Sequence, residues 1–206
     1  MQKGRFMFPF FTAFFIFVLV LNISLRRNSR KQDAVDRKFW EQELKANATR
    51  KQDISRLDYI IIPSEIIPQN LHTEAEKNLL ALTSCQMLNL KGQSNTELKL
   101  KYGVANLEAL GQYEANFSRF QSILPVYAKE LIEAGQKEDA VRLLEFAVEK
   151  EADATPIYRL LANLYQENNQ KEKLLQLLEK AKALTSLSGR IITEDLTKRI
   201  TQPMED

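Results

Sequence analysis

At 206 residues, 44% hydrophobic and 27% charged, the chain has room for one ordinary domain plus an appendage. Its net charge of +2 is unevenly spread, with ten basic and five acidic groups in residues 26–56 and seventeen and twenty-two in residues 57–206. A basic neck on a mildly acidic body argues against nucleic acid as partner and for an anionic membrane surface beside the neck. The single cysteine, Cys85, excludes an internal disulfide and a cysteine-rich metal site.

Phe6 to Leu25 is a 20-residue stretch without a charge, holding seven phenylalanines followed by Ile, Val and Leu. As a helix it spans about 30 Å, the thickness of a bilayer core. Pro9 falls in its first turn, where a lost N–H matters little. A buried core helix would need a polar side, and this stretch has none. A cleaved secretory signal would be shorter and would show small residues before Arg26. Residues 1–25 are therefore expected to be an uncleaved single-pass anchor in contact with the bilayer. Lys3 and Arg5 precede it, whereas Arg26, Arg27, Arg30, Lys31, Arg37, Lys38 and Lys45 follow, which places the helical body on the cytoplasmic side.

Residues 26–56 read as a basic juxtamembrane stalk. The segment 31–48 lacks Gly and Pro and carries a narrow apolar stripe of Val35, Phe39 and Leu44, with Trp40 beside it. A solvated stalk helix is expected; a dimer seam and an interfacial helix are the alternatives. Asn47-Ala48-Thr49 and Asn116-Phe117-Ser118 match the glycosylation triplet, which carries no meaning on a cytoplasmic face.

Residues 57–72 change character. Tyr59-Ile60-Ile61-Ile62 is β-branched and apolar, and Pro63 and Pro68 forbid a continuous helix. No second strand candidate exists to pair with it, so this extended ribbon must lie on the helical body or serve as a docking strip made of Tyr59, Ile60, Ile61 and Ile62. From Thr73 to the C-terminus the pattern is helical. Thr73 with Glu76 and Ser94 with Glu97 have capping-box spacing. A helix over about 95–110 is expected to break at Gly111, with a return helix over 112–122. A fresh helix begins near Ser122, since Pro125 suits a first turn. Thr155-Pro156 reads as a capping hydroxyl followed by a first-turn proline. Ser186 to Gly189 reads as a linker before a last capping helix at about 193–200, with Ile192, Leu196 and Ile200 on one side.

Residues 121–154 and 155–188 coincide in kind when offset by 34. Tyr127 falls on Leu161, Ala128 on Ala162, Leu131 on Tyr165, Gly135 on Asn169, Leu144 on Leu178 and Ala147 on Ala181. The alanines let helices approach closely, and Gly and Asn tolerate the left-handed residue that ends a helix. In spacing, small residues and turn residue the pair resembles the tetratricopeptide (TPR) repeat, a 34-residue helix–turn–helix. Two departures stand out: the first copy has no aromatic at the place of Tyr165, and Leu174 replaces the alanine seen at Ala140. The resemblance implies an all-α fold of stacked antiparallel hairpins over residues 73–206. It also implies a concave groove lined by Lys129, Glu133, Arg159, Asn163 and Gln166. In that family a long basic residue and an asparagine at the spacing of Arg159 and Asn163 form part of a clamp for a peptide's carboxylate. The equivalent turn of the first copy has Pro125 and Lys129.

No constellation for catalysis emerges. His72 stands alone before a helix cap, Cys85 has no base to activate it, and carboxylates lie near lysines on helix faces. No glycine-rich phosphate loop or metal-ligand cluster is present, so no cofactor and no small-molecule substrate is expected. The expected function is a membrane-anchored scaffold that binds a protein or peptide at the membrane surface. The rival is a closed or self-associating structural component whose groove is filled by its own Ile60–Ile67 segment.

Overall fold

Apolar residues recurring three and four apart make most of this chain helical in the computed structural model, which describes residues 7–201, with backbone alone at 7–12, 28–31 and 34. The helices are α1 (Met7–Ala48), α2 (Glu74–Leu82), α3 (Asn95–Tyr102), α4 (Leu107–Glu133), α5 (Lys137–Glu149), α6 (Thr155–Glu167), α7 (Lys171–Ala183) and α8 (Leu187–Thr201), joined by single 3-10 turns at Ser64–Ile66 and Val104–Asn106. The class is all-α, and each helix from α4 to α8 packs on the next.

The last four connections follow one another closely. α4 and α6 end at Glu133 and Glu167, and α5 and α7 begin at Lys137 and Lys171, each pair 34 residues apart. Between them Gly135 (φ 80°) and Asn169 (φ 55°) take the left-handed conformation. The next N–H reaches back to the previous helix in the same way, Gln136 to Leu131 and Gln170 to Tyr165, both at 2.8 Å. Ala128, Ala162, Ala147 and Ala181 have no exposed surface at all, so they lie where helices cross.

Several boundaries depart from the sequence reading. α3 stops at Gly103 and α4 runs unbroken through Gly111 and Pro125. Gly103 ends α3 because the chain crosses there: a Cβ on it would lie 2.5 Å from the Arg50 carbonyl oxygen. Gly111 has nothing within 4 Å, so it costs α4 only its weak helix propensity, about 1 kcal/mol. Pro125 costs about 3 kcal/mol. Phe117, Phe120, Leu124, Tyr127 and Leu131 continue one buried face through it, and burial of such residues contributes about 1.5–3 kcal/mol each. Burial wins.

At α6 the cap position is Ala154 rather than Thr155, and no side chain caps it. α8 begins six residues earlier than expected, because Ser186 caps it by accepting from the Gly189 N–H at 3.0 Å. Gly189 is thus not linker but a buried helix residue, whose added Cβ would meet the Leu184 Cβ at 2.5 Å. The tail after Thr201 lies outside the described residues.

The ribbon alternates as an extended segment should. Ile60, Ile62 and Ile67 are buried, whereas Ile61 is exposed. It does find one pairing partner, Met87, through two hydrogen bonds with Ile60 of 2.8 and 3.2 Å. The Tyr127 hydroxyl donates to the Pro68 carbonyl, and Thr73 Oγ1 donates to Glu130 Oε2 at 2.6 Å, so ribbon and α2 seat together on α4.

α1 is continuous from the expected anchor into the expected stalk. From Ala13 to Arg27 every residue but the half-buried Val18 is exposed, and so are Val35, Phe39, Trp40 and Leu44. Among the described residues no helix is long and apolar enough to cross a membrane. The expected span, Phe6 to Leu25, begins outside the residues whose side chains are described. The far end of α1 is docked rather than free: Ala46 is buried, Glu43 accepts from Lys99 Nζ (2.8 Å) and from Thr96, and the Gln52 N–H donates to the Tyr102 carbonyl at 3.0 Å.

Candidate protein-binding groove

The polar residues singled out on α4 and α6 fall into two groups. Lys129 and Glu133 are exposed, one turn apart near the end of α4, and make no side-chain hydrogen bond or ion pair among the described residues. Val126, also exposed, continues the same face.

On α6 the three residues meet a helix that the sequence reading did not bring to them. Arg199 of α8 donates through Nη1 to Asn163 Oδ1 at 2.6 Å and to Gln166 Oε1 at 3.1 Å. Its Nε donates to Asp195 Oδ2 at 3.0 Å, and the same oxygen lies 3.5 Å from Arg159 Nε. One carboxylate oxygen is therefore shared by two guanidinium groups. These side chains are one quarter to one half exposed, so water screens the contacts and each is weak. Arg199 and Asp195 were the missed residues. Their only sequence signal is an Asp–Arg pair four apart, and that spacing is common on solvated helices.

The docking strip is mostly turned inward. Ile60 and Ile62 are buried, and the half-buried Tyr59 packs edge-on to Tyr113 with its hydroxyl donating to the Ile54 carbonyl at 2.7 Å. Only Ile61 of the four points out, because alternate residues of an extended segment face opposite ways. His72 is an exposed turn residue at φ 54°. There the chain turns so that the buried Glu76 carboxylate accepts the N–H groups of Leu71 and His72, at 2.9 and 3.0 Å, in place of the Thr73 N–H expected of a capping box. Cys85 is a free, half-buried thiol whose Sγ donates to the Ala81 carbonyl. Asn116 is buried and donates to the Gln86 carbonyl at 3.1 Å, so its triplet cannot carry a glycan in this fold.

Elsewhere polar groups serve packing. Burial alone would raise the Glu145 carboxyl, but hydrogen bonds from Lys173 (2.9 Å) and Tyr165 (2.7 Å) outweigh it and hold the group below its ordinary value. Burial, with the hydrogen bond to Glu145 second, pushes the Tyr165 hydroxyl up, so it stays a donor. Among the described residues no group of three His, Cys, Asp or Glu side chains could hold a metal ion. No protein-family model, curated protein or solved structure matches this chain.

Proposed function

We propose that this chain is a single-pass membrane protein that displays a TPR-like pair of helical hairpins on the cytoplasmic side. Its task is to bind a protein or peptide partner along the polar face of α4 and α6. It acts by binding, without catalysis. The anchor is Phe6 to Leu25, whose charge-free length matches a bilayer core and whose described part, from Ala13, offers no polar side.

The observation that carries the reading is the position of the ribbon. Tyr127 marks the face of α4 that the ribbon covers, and Lys129 lies two residues on, about 200° around the helix. Val126, Lys129 and Glu133 stay exposed. That placement favours an open groove over a body closed by its own Ile60–Ile67 segment, even though three of those isoleucines are buried. The two hairpins repeat at 34 residues with left-handed Gly135 and Asn169 at matching turns, which supports reading them as the repeated unit of a curved stack.

The test is partner capture by the full chain held in lipid nanodiscs. Lys129→Glu and Arg159→Glu should each release the partner while leaving the melting temperature unchanged. Partner retention by both charge-reversed proteins would rule out this face as the binding surface.

A further inference from the structure

We propose that Asp195 is a built-in occupant of a carboxylate site on the groove, which an Asp or Glu side chain of a partner peptide must displace to bind. The inference rests on the groove reading above and names the chemistry of one of its pockets. The site is drawn by what fills it. Asp195 Oδ2 takes the Arg199 Nε–H at 3.0 Å and lies 3.5 Å from Arg159 Nε. Arg199 is in turn aimed by Asn163 at 2.6 Å and Gln166 at 3.1 Å, both on α6. Two guanidinium groups from different helices thus converge on one side-chain carboxylate, with two amide oxygens fixing the orientation of the nearer one. Guanidinium is the group best shaped for carboxylate recognition.

Asp195 is poorly placed to keep its position against competition. Its side chain and that of Arg199 are about one quarter exposed and Arg159 is about half exposed, so each contact is of the screened kind that contributes little. Asp195 sits beside Leu196, the residue that buries α8 against the stack, so the carboxylate can turn away while the helix stays seated. Turned away, it leaves two uncompensated positive charges facing the groove. An incoming acidic side chain restores the same pairing, and neutral side chains do not. The two guanidinium groups therefore select acidic partners, and Asp195, which competes only with those, lowers their affinity.

The experiment measures fluorescence anisotropy of the full chain in nanodiscs with mixed-sequence peptide pools. Two pools are C-terminally amidated and differ only in a fixed central Glu or Gln; a third repeats the Gln pool with a free C-terminal carboxylate. Asp195→Asn should tighten binding of the Glu pool about three- to fivefold, the range expected from losing one exposed ion-pair competitor. The Gln pool should not change, and neither should Glu149→Gln, an exposed charge-matched control on α5. Arg199→Gln should erase the preference for Glu without moving the melting temperature. Equal gains for the Glu and Gln pools, equal gains in the Glu149→Gln control, or no gain at all would overturn the inference. A gain confined to the free-carboxylate pool would overturn the side-chain ligand in favour of a chain terminus. If Lys129→Glu weakens binding of both amidated pools while Asp195→Asn changes nothing, the inference alone falls. If Lys129→Glu leaves them untouched, or no pool binds, the groove reading falls with it.

Discussion

Gly103→Ala should detach the neck from the body without unfolding the repeats. Gly103 sits at φ 84°, ψ 149°, a region that costs a residue with a side chain about 1–3 kcal/mol. The new Cβ would lie 2.5 Å from the Arg50 carbonyl oxygen, where ordinary contact begins near 3.4 Å, so the backbone at 50–52 must retreat by about 1 Å. Two hydrogen bonds oppose that movement: Gln52 N–H to the Tyr102 carbonyl (3.0 Å) and Asn106 Nδ2 to the Gln52 carbonyl (2.8 Å). Each contributes about 0.5–1.5 kcal/mol net, which brings the total to about 2–6 kcal/mol. Gly92 is the control, because it has nearly the same φ, 82°, and nothing within 4 Å, so alanine there costs the backbone strain alone. Amide exchange reads the difference. In Gly103→Ala the Gln52 N–H should lose protection while Gln136 and Gln170, the turn amides of the two hairpins, keep theirs. A Gly103→Ala protein that melts with Gly92→Ala and still protects Gln52 would refute the crossing argument.

Three further perturbations separate packing from surface. Ala147→Leu and Ala162→Leu place three extra carbons at fully buried helix crossings and should each cost about 1–3 kcal/mol in thermal or denaturant melts, whereas the exposed Ala134→Leu should cost less. In the ribbon, Ile62→Asp loses about 1.5–3 kcal/mol of burial and adds a buried charge, so its melting temperature should fall sharply, while Ile61→Asp, on the exposed side, should stay within about 0.5 kcal/mol of wild type. Hydrogen bonds from Lys99 and Thr96 hold the Glu43 carboxyl below its ordinary 4.5. A depressed carboxyl adds stability above its unfolded value and loses it as pH falls through the folded one. The protection factors of the 46–52 amides, each exchange rate taken relative to its intrinsic rate at that pH, should therefore be constant above about pH 5 and fall in acid, and Glu43→Gln should remove that step.

What the sequence disclosed was whatever depends on neighbours along the chain. The turn at Gly135 and Asn169 was legible because few residues accept positive φ, and the buried alanines because helix crossings need small side chains. The glycines and the proline misled wherever the cause lay across the fold. Gly103 rather than Gly111 breaks a helix because Arg50 passes over it, a contact between segments 53 residues apart. Pro125 stays inside α4 because a buried face runs through it on both sides. The candidate groove was half legible for the same reason. Helical spacing put Arg159, Asn163 and Gln166 on one face, but periodicity identifies an apolar side and says nothing of which polar groups meet across helices. Asp195 and Arg199 could be placed there only once α8 was seated.

If Phe6 to Leu25 crosses a bilayer, the length of α1 fixes where the body sits. Trp40 is 15 residues beyond Leu25 on an unbroken helix, about 22 Å farther along its axis. The headgroup layer beyond the bilayer core is only about 5–8 Å deep on each side. Even a tilt of about 40° leaves Trp40 roughly 17 Å from the core, out of reach of the lipid. Trp40 is 64% exposed, and the docked contacts of α1, at Glu43 and Ala46, come later still. On that premise the body would be held away from the membrane on a rod, which would keep the face of Lys129 and Arg159 open to a partner in solution. Trp40 is the chain's single tryptophan, so its fluorescence reports this height directly. In nanodiscs its emission should be red-shifted, strongly quenched by acrylamide and indifferent to brominated lipid. Blue-shifted emission quenched by brominated lipid would mean that the helix bends at the basic neck and lies on the surface, and the rod would have to be given up.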